Sequence, residues 1–404
     1  MANVMAVRRP FPVVPLLFLS GLLYLNFTGR IVLAPLLPLV ETDLGLGHGA
    51  AGSLFFFQAI GYAFGLLAAG LTAWHLSHHG TIVLSAFTLG VALVAFSRAP
   101  SLGWMQVCLV VLGVGAGLYL PSGIATIADL TAEAQWGRAT AIHEFAPAIG
   151  FISAPLVAEL LLRWLSWRGV LATFGVSLVA AGGLYARWGQ GGRQQAAPPH
   201  PRTMLALATD KALAPIAALF VLAVAAGYGL YAMLPLFLLA ERGMNRASAN
   251  ALVGLSRVLA PPMILAAGWL TDRLGHRRAL AAFQGVTGGL TVFLALASGP
   301  LLTTCAVTLQ AAVSACFFPA YYPLVAQLVP SSQRHLAISV VSITGMFLGG
   351  GLTPLLVGHL AETWSFAGAI LLVGALTLLS PVLLLIQGKK VRDWKWATRS
   401  EDDS

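Results

Sequence analysis

Long apolar segments recur along nearly the whole chain, and short polar breaks separate them. Between Pro12 and Gln387 there are about a dozen runs of roughly 20 mainly apolar residues, the length that an α-helix needs to cross a bilayer. The pattern predicts an all-α integral membrane protein with twelve transmembrane helices. We place the spans at residues 12–39, 50–73, 80–97, 103–128, 139–162, 166–186, 212–240, 247–270, 278–297, 303–328, 335–360 and 366–387.

The longest break in the apolar pattern is rich in Gly, Gln and Pro and divides the spans into two sets of six. We predict a six-helix bundle at residues 1–186, a cytoplasmic linker at 187–211, a second bundle at 212–388 and a tail at 389–404. The ends of the first and seventh spans, APLLPLVETDLGLGHGAAG and MLPLFLLAERGMNRASA, share a pattern of prolines, an acidic residue and a new helix start. The halves are therefore expected to be pseudo-symmetric, an arrangement that places a substrate site between them.

Composition agrees with a lipid environment, since 58% of the residues are hydrophobic and 9% are charged. The net charge of +9 invites a nucleic-acid partner, but the placement of the charges argues against one. Of the 23 Lys and Arg residues, 16 fall in breaks on the side of the N-terminus, 5 in breaks on the other side and 2 inside spans. This asymmetry predicts a multi-pass protein of the cell (inner) membrane with both termini in the cytoplasm.

The chain offers no pattern typical of an enzyme. Its three cysteines, Cys108, Cys305 and Cys316, lie in apolar spans and form no CxxC, so we expect neither a disulfide framework nor a metal site. The glycine runs GVGAG and GGG also lie inside spans and cannot follow a strand as a phosphate loop would. With no Walker pattern and no cofactor expected, gradient-driven movement of a solute is the remaining function.

One polar loop, GWLTDRLGHRR at residues 268–278, carries a specific motif. It resembles the signature loop G-x-L-x-D-R-x-G-R-R of the major facilitator superfamily, whose members are two-bundle transporters. The resemblance implies tight helix packing at the first glycine, an ion pair or helix cap at the aspartate, a turn at the second glycine, and basic residues that suit an anionic inner leaflet. The positions concerned are Gly268, Asp272, Arg273, Gly275 and Arg277.

The matching loop of the first half, GLTAWHLSHHG at residues 70–80, departs from that motif. Trp74, His75 and Ser77 stand where Asp, Arg and Gly are expected. Two features typical of drug–proton antiporters are also missing, since Leu109 stands where their arginine would precede Gly113 and the fifth span has Ala-Pro in place of Gly-Pro. These departures disfavour drug efflux.

Two arginines fall inside predicted spans, where a charge is costly and usually functional. Arg30 lies in the first span and Arg257 in the eighth, at similar depth. If both faced a central cleft, they would form a site able to bind an anion with two hydrogen bonds. The arrangement is similar to organic-anion members of the superfamily, in which glycerol-phosphate transporters place an arginine eight residues before a proline, as Arg30 precedes Pro38. The alternative is that both snorkel to headgroups or bond carbonyls at helix ends.

The fifth span opens with a second pair of ionisable residues, His143 and Glu144. A semi-buried carboxylate beside a histidine can load and release a proton near neutral pH, so we predict that the pair couples transport to protons. The alternative is that Glu144 pairs with Arg138 as a gate. Glu41 and Glu159 fall near the outer surface and are expected to be solvated.

Further polar and aromatic side chains lie in the same spans and are candidate substrate contacts, although aromatic residues at helical spacing more often serve packing. These candidates are Tyr24, Asn26, Gln58, Tyr228, Tyr231 and Tyr321.

We therefore expect a monomeric secondary transporter that moves a small organic anion, together with protons, by alternating access. A second hypothesis is efflux of an amphipathic or hydrophobic compound, which would not depend on the arginines. A third, from another class, is a membrane receptor or lipid handler, which would move no solute.

Overall fold

The structure is a computed structural model that describes residues 11–196, 209, 213–329 and 334–384. Eleven of its helices are long and apolar enough to cross a membrane, and they contain nearly all of the described residues. We number them α1 (Val13–Leu44), α2 (His48–Ser97), α3 (Leu102–Leu130), α4 (Glu133–Leu161), α5 (Trp167–Trp188), α6 (Ala214–Ala240), α7 (Arg246–Leu274), α8 (His276–Leu296), α9 (Pro300–Ala326), α10 (Leu336–Thr363) and α11 (Phe366–Leu384).

Helix α2 accounts for two of the predicted spans. It is 50 residues long and is interrupted at Ser77, where φ is 68° and ψ is 167°. A straight helix of that length would extend about 75 Å, more than twice the hydrocarbon thickness of a bilayer. The two arms on either side of Ser77 match the predicted spans 50–73 and 80–97, so the prediction of twelve crossings in two six-helix bundles is confirmed.

Proline interrupts two helices close to the arginines that the sequence singles out. In α1 the regular helix ends at Ile31 and resumes at Leu33, and Pro35 has no N–H to donate to the Ile31 carbonyl. In α7 a 3₁₀ turn at Ser256–Leu259 replaces the α-helix, because Pro261 cannot donate to the carbonyl of Arg257. Both arginines therefore lie at irregular turns.

Two further irregular turns lie in the second half. Ala225–Gly229 of α6 and Gly345–Leu352 of α10 form π-helical turns, which widen the helix and leave carbonyls free for other donors. The two turns pack on each other, so α6 and α10 contact each other through their irregular segments.

The two halves are joined at one end only. The largest buried apolar cluster combines residues of both halves, among them Val40, Ala51, Val253 and Val357. The other two clusters each belong to a single half, the first half from Leu16 to Tyr185 and the second from Leu213 to Leu384. We call the joined end the distal side and the opposite end the linker side. Among the described residues, the halves are thus closed on the distal side and apart on the linker side.

The first residues of the predicted linker are bound to the first half. The amide of His79 donates to the Gly192 carbonyl at 2.7 Å, and the amide of Ala196 donates to Ala73 at 3.2 Å. The Asp129 carboxylate accepts from the Gly192 amide at 2.8 Å. This segment therefore covers the loop in which the superfamily motif is degenerate. Residues 197–208, the N-terminal residues 1–10 and the predicted tail 389–404 lie outside the described residues.

Candidate functional site

Arg30 lies at the boundary between the halves and is 7% exposed. Its guanidinium carbon is 4.1 Å from the ring centre of Tyr62 and 5.8 Å from that of Phe27, both in the first half. The ring centre of Tyr228, on α6 of the second half, is 5.9 Å away. Three aromatic faces therefore surround this cation, and one of them comes from across the boundary.

Arg257 occupies the corresponding place on the other side and is 8% exposed. Its guanidinium carbon is 4.8 Å from the ring centre of Phe151, on α4 of the first half, and 5.3 Å from that of Tyr231. Its terminal nitrogen donates to the Gly227 carbonyl at 2.8 Å. Gly227 belongs to the π-helical turn of α6, so the irregular backbone supplies this acceptor.

Neither arginine has a carboxylate partner within the part of the chain that the structure describes. The four ion pairs found there involve other residues. A cation–π contact contributes about 0.5–2 kcal/mol, which falls well short of the several kcal/mol needed to bury an unpaired ion. Arg257 does bond a carbonyl, as the alternative interpretation expected, but neither guanidinium reaches out to the headgroups.

An aromatic cluster separates the two guanidinium groups. The ring of Phe151 lies 4.8 Å from Phe27, 4.9 Å from Tyr231 and 6.2 Å from Tyr228, measured between ring centres. The rings under Arg30 thus contact the ring under Arg257. Phe151 thus lies between the aromatic neighbours of the two arginines, and a single site with both arginines on one anion stays a prediction.

A small cavity lies beside Arg30. It measures about 10 Å³, the scale of one water molecule. Its wall is formed by residues of both halves, namely Arg30, Phe55, Gln58, Ala59, Tyr62, Tyr228, Met346 and Gly350. Two buried polar atoms here lack a partner, the Arg30 Nε donor and the Gln58 Oε1 acceptor. Leaving such a group unsatisfied costs about 1–3 kcal/mol, so the cavity favours an occupant that can both accept and donate.

Glycines of α3 position the two first-half residues of this cavity. A Cβ at Gly113 would lie 2.2 Å from the Gln58 carbonyl, and a Cβ at Gly117 would lie 2.5 Å from the Tyr62 carbonyl. The backbone of α2 therefore approaches α3 more closely than any side chain would allow. The side-chain amide of Gln58 donates from Nε2 to the backbone carbonyl of Arg30 at 3.1 Å, and this bond connects α2 to the irregular turn of α1.

The predicted proton pair forms a chain of contacts toward the interior of the first half. The Nδ1 atom of His143 is 3.1 Å from a Glu144 oxygen, and its Nε2 atom is 3.2 Å from the Tyr119 hydroxyl. That hydroxyl donates to the Leu19 carbonyl at 2.6 Å. His143 is completely buried, whereas the Glu144 side chain is 46% exposed. Glu144 is thus more solvated than the semi-buried carboxylate expected from the sequence.

Glu144 points toward the second half and away from Arg138. It lies near Tyr322 of α9, a residue of the second half. The guanidinium of Arg138 instead lies 4.6 Å from the ring centre of Phe11. The alternative of a Glu144–Arg138 gate is therefore not what the structure contains, because the two side chains leave α4 in different directions.

Three predicted substrate contacts lie elsewhere in the fold. The Tyr24 hydroxyl is 2.9 Å from Ser153 in a groove between α1 and α4, and the Asn26 amide donates to Ser85 at 3.3 Å inside the first bundle. Tyr321 is fully buried in the second bundle and donates to the Ile216 carbonyl at 3.0 Å. Their polar groups serve contacts between helices of one half. Gln58, Tyr228 and Tyr231 do lie beside an arginine.

Sequence reasoning missed three aromatic residues that contact the arginines, Phe27, Tyr62 and Phe151. Tyr62 follows Gln58 by four residues and Phe151 follows Glu144 by seven, so each shares a helix face with a residue that was singled out. That spacing is the signal by which they could have been found.

The motif loop of the second half has the turn that its glycine predicts. Gly275 has φ of 79° and ψ of 150°. The role expected for Gly268 is wrong, since a Cβ there would meet nothing within 4 Å. Asp272 is exposed and makes no ion pair among the described residues, while the Arg273 guanidinium stacks 3.8 Å from the Trp269 ring centre. Arg277 is half-buried.

Comparison with known proteins decides the family. The sequence pattern of the Major Facilitator Superfamily matches residues 17–307 and 216–402, which together cover almost the whole chain. The chain belongs to the Major Facilitator Superfamily. It is accordingly a multi-pass membrane transporter of a small molecule and not an enzyme.

Two curated relatives of this superfamily member are named as transporters. It is 22% identical to the "Putative niacin/nicotinamide transporter NiaP" of Bacillus subtilis (strain 168), over 83% of this chain and 85% of that protein. It is 24% identical to a "Putative metabolite transport protein" of Haemophilus influenzae, over 85% of this chain and 88% of that protein.

Solved structures share the superfamily fold at low identity. A bacterial homologue of the human lysosomal transporter Spinster has a TM-score of 0.76 at 15% identity, covering 95% of this chain and 96% of that one. A POT family transporter has a TM-score of 0.80 at 11% identity, covering 95% and 97%. A D-xylose–proton symporter has a TM-score of 0.73 at 14% identity, covering 92% and 97%. These likenesses concern the fold alone.

In this superfamily member, polar contacts between the two halves hold the distal side closed. Glu159 of the first half accepts from Arg246 at 2.9 Å and from Asn250 at 2.6 Å, both on α7 of the second half. The Gly49 amide donates to Glu362 of α10 at 3.0 Å. The expectation that Glu41 and Glu159 are solvated is wrong, since Glu41 contacts His48 at 2.9 Å and both carboxylates are largely buried.

Proposed function

We propose that this transporter carries a small organic anion with a flat aromatic body, such as an aromatic monocarboxylate. The observation that supports the proposal is the pair of buried guanidinium groups, each without a carboxylate partner among the described residues and each stacked on aromatic rings at the boundary between the halves. The carboxylate of the substrate would supply the missing negative charge. Its aromatic ring would stack where the protein's own aromatic side chains lie in the empty carrier. Niacin, one of the two compounds in the name of the Bacillus subtilis relative, is an aromatic monocarboxylate of this class.

Binding requires the halves to rearrange, because a cavity of about 10 Å³ cannot hold an organic anion. The contacts that cover the guanidinium groups join the halves, Tyr228 over Arg30 and Phe151 under Arg257. A rocking motion that separates the halves would uncover one face of each cation. Alternating access would thus expose the anion site as a direct consequence of breaking these contacts.

Proton accounting supports coupling through Glu144 and His143. Since the Tyr119 hydroxyl donates to Leu19, its oxygen accepts from the Nε2–H of His143. The contact between Nδ1 and the Glu144 carboxyl then needs one more proton, held by either the imidazole or the carboxyl group. His143 and Glu144 are therefore suited to carry one exchangeable proton between them, on the face of α4 nearest the second half.

The orientation is proposed from the charges. The linker side carries most of the Lys and Arg residues, so it would face the cytoplasm of a cell (inner) membrane, with both termini there and the chain acting as a monomer. The conformation described here would then be inward-facing. Reporter fusions at the two chain ends test the orientation, and activity of a fusion outside the cytoplasm would contradict it.

Charge dependence of transport tests the cargo. In proteoliposomes we expect uptake of labelled nicotinate, with competition by benzoate and none by nicotinamide, the neutral isostere. Arg30→Gln and Arg257→Gln should each reduce nicotinate uptake by more than tenfold, because a lost charged hydrogen bond costs about 1.5–3 kcal/mol. Arg163→Gln, at an exposed arginine outside the site, is the matched control. Equal competition by nicotinamide, or arginine variants with full uptake, would favour the second hypothesis of amphipathic efflux.

Proton coupling has its own test. Glu144→Gln should abolish accumulation driven by a pH gradient and preserve exchange of labelled for unlabelled nicotinate at equal pH. Glu133→Gln, an exposed carboxylate at the start of the same helix, should leave both unchanged. Accumulation that persists in Glu144→Gln would show that another group carries the proton.

A further inference from the structure

A second cavity lies outside the boundary between the halves. It is a groove of about 760 Å³, and the described residues that form its wall belong to α1 and α4 of the first half. Its wall mixes small residues with larger ones, and a Cβ at Gly21 would meet nothing within 4 Å. The lining residues are Leu17, Ser20, Gly21, Tyr24, Arg138, Ala141, Ile142, Phe145, Ala146 and Ile149.

The groove opens toward the surroundings of the bundle. Along α4, Glu144 and Phe151 face the second half. At 100° per residue, Phe145 and Ile149 lie about 100–160° away from that face. Both are exposed, and so is Leu17 on the opposite rim. Within the described part of the chain, no residue of the second half lines the groove, so it is separate from the candidate transport site.

The groove has a charged end and an apolar end. Arg138 lies at the linker side, is exposed, and makes no ion pair among the described residues. Its guanidinium rests 4.6 Å from the ring centre of Phe11, so the head of the side chain is held at the mouth of the groove. Ile149 follows Arg138 by eleven positions, which corresponds to about 16 Å along α4. This length is close to half the thickness of a bilayer's hydrocarbon core.

These dimensions match one leaflet with its headgroup. An acyl chain would contact Leu17, Phe145 and Ile149, and a phosphate at the headgroup level would accept from Arg138. The open space at Gly21 leaves room for the acyl chain between the two helices. We propose that this groove is a binding site for one anionic phospholipid of the leaflet on the linker side, held by its acyl chain between α1 and α4 and by its phosphate at Arg138.

Lipid retention tests the site directly. The full chain, purified in neutral detergent and stripped of lipid, is mixed with phosphatidylglycerol or phosphatidylcholine, and bound lipid is counted by native mass spectrometry. We expect one phosphatidylglycerol to be retained in preference to phosphatidylcholine. Arg138→Gln should weaken its retention by about tenfold, the effect of losing one charged hydrogen bond. Gly21→Leu, which fills the groove where the fold leaves space, should abolish it.

Matched controls separate the groove from general effects. Arg187→Gln removes a second arginine of the same half, whose guanidinium lies 5.9 Å from the Trp188 ring centre, and should retain the lipid. Gly285→Leu adds the same side chain at another open glycine, on α8, and should also retain it. Thermal unfolding of each lipid-free variant should match the wild type, which shows that the fold is intact.

Four outcomes would overturn the proposal. They are undiminished retention of phosphatidylglycerol by Arg138→Gln or Gly21→Leu, equal retention of phosphatidylcholine, displacement by millimolar inorganic phosphate, and displacement by a transported solute. The third would assign Arg138 to a free anion, and the fourth would assign the groove to the transport path.

Discussion

The guanidinium group of Arg257 lies 4.8 Å from the ring centre of Phe151, and the two residues belong to different halves of the transporter. The same ring packs on Tyr231, which also lies under Arg257. Separation of the halves on the distal side has to break this contact. It therefore stabilises the conformation in which that side is closed.

Phe151→Leu should shift the protein toward the conformation that is open on the distal side. The lost cation–π contact contributes about 0.5–2 kcal/mol, which corresponds to a two- to thirtyfold change in the ratio of the two conformations. Spin labels at Arg163→Cys and Ser298→Cys, exposed positions at the distal ends of the two halves, would report the change as a longer distance. Phe145→Leu on the same helix is the control, and an equal shift in it would contradict the assignment to Phe151.

Glu159→Gln should weaken the distal seal in a salt-dependent way. The substitution removes the ion pair with Arg246 and leaves an acceptor for Asn250. Because the carboxylate is largely buried, we expect a loss of about 1–3 kcal/mol, above the value of a solvated pair. A cysteine at Ala249, which is fully buried in this seal, should react faster with maleimide in Glu159→Gln than in the parent. The background needs Cys305→Ser, since Cys305 is exposed.

Tyr62 should act on anion binding through its aromatic face. Its ring is the nearest of the three around Arg30, at 4.1 Å. Tyr62→Leu removes the face that orients the guanidinium and should raise the Kd for nicotinate about three- to tenfold. Tyr62→Phe keeps the face and should stay within about twofold of the wild type. Calorimetric titration measures both, and a Phe variant as weak as the Leu variant would assign the effect to the hydroxyl.

Ser77→Gly should stabilise the protein. Ser77 has φ of 68° and ψ of 167°, a region almost confined to glycine, in which another residue costs about 1–3 kcal/mol. Its hydroxyl accepts weakly from the Gly80 amide at 3.4 Å, and replacing such a cap by glycine costs only a few tenths of a kcal/mol.

Gly275→Ser is the reciprocal experiment, because Gly275 has nearly the same torsion angles in the second half. It should destabilise by a similar amount. Thermal unfolding in one detergent compares the two variants with the wild type. A lower midpoint for Ser77→Gly would mean that the hydroxyl contributes more than the strain costs.

Much of the fold follows from the apolar pattern, because a lipid solvent imposes one length on every crossing helix. The periodic signal does not fix which face of a helix meets its neighbours. Asn26 and Tyr321 illustrate this, since each bonds inside its own bundle and not at the boundary between the halves. Glu41 and Glu159 illustrate a second limit. A carboxylate near a helix end looks solvated in the sequence until the partner helix brings His48 or Arg246 beside it.

The arginines were found because charge inside an apolar run is rare and costly. Only part of their surroundings follows from the sequence, because the rings that cover them come from four different helices. Phe27, Tyr62, Phe151 and Tyr228 are separated along the chain, and only packing brings them together. The π-helical and 3₁₀ turns that position Gly227 and Arg257 likewise depend on tertiary context as much as on the prolines nearby.

If the unpaired cations at the boundary shift through the membrane field as the halves rock, they would make the empty carrier sensitive to voltage. A charge that crosses the full membrane exchanges about 2.3 kcal/mol with a potential of 100 mV, and one that shifts part of the way exchanges a proportional share. With no carboxylate beside Arg30 or Arg257 among the described residues, the return of the unloaded protein would be electrically driven. A bound anion would cancel part of that charge, so the loaded and empty steps would respond differently to the same membrane potential.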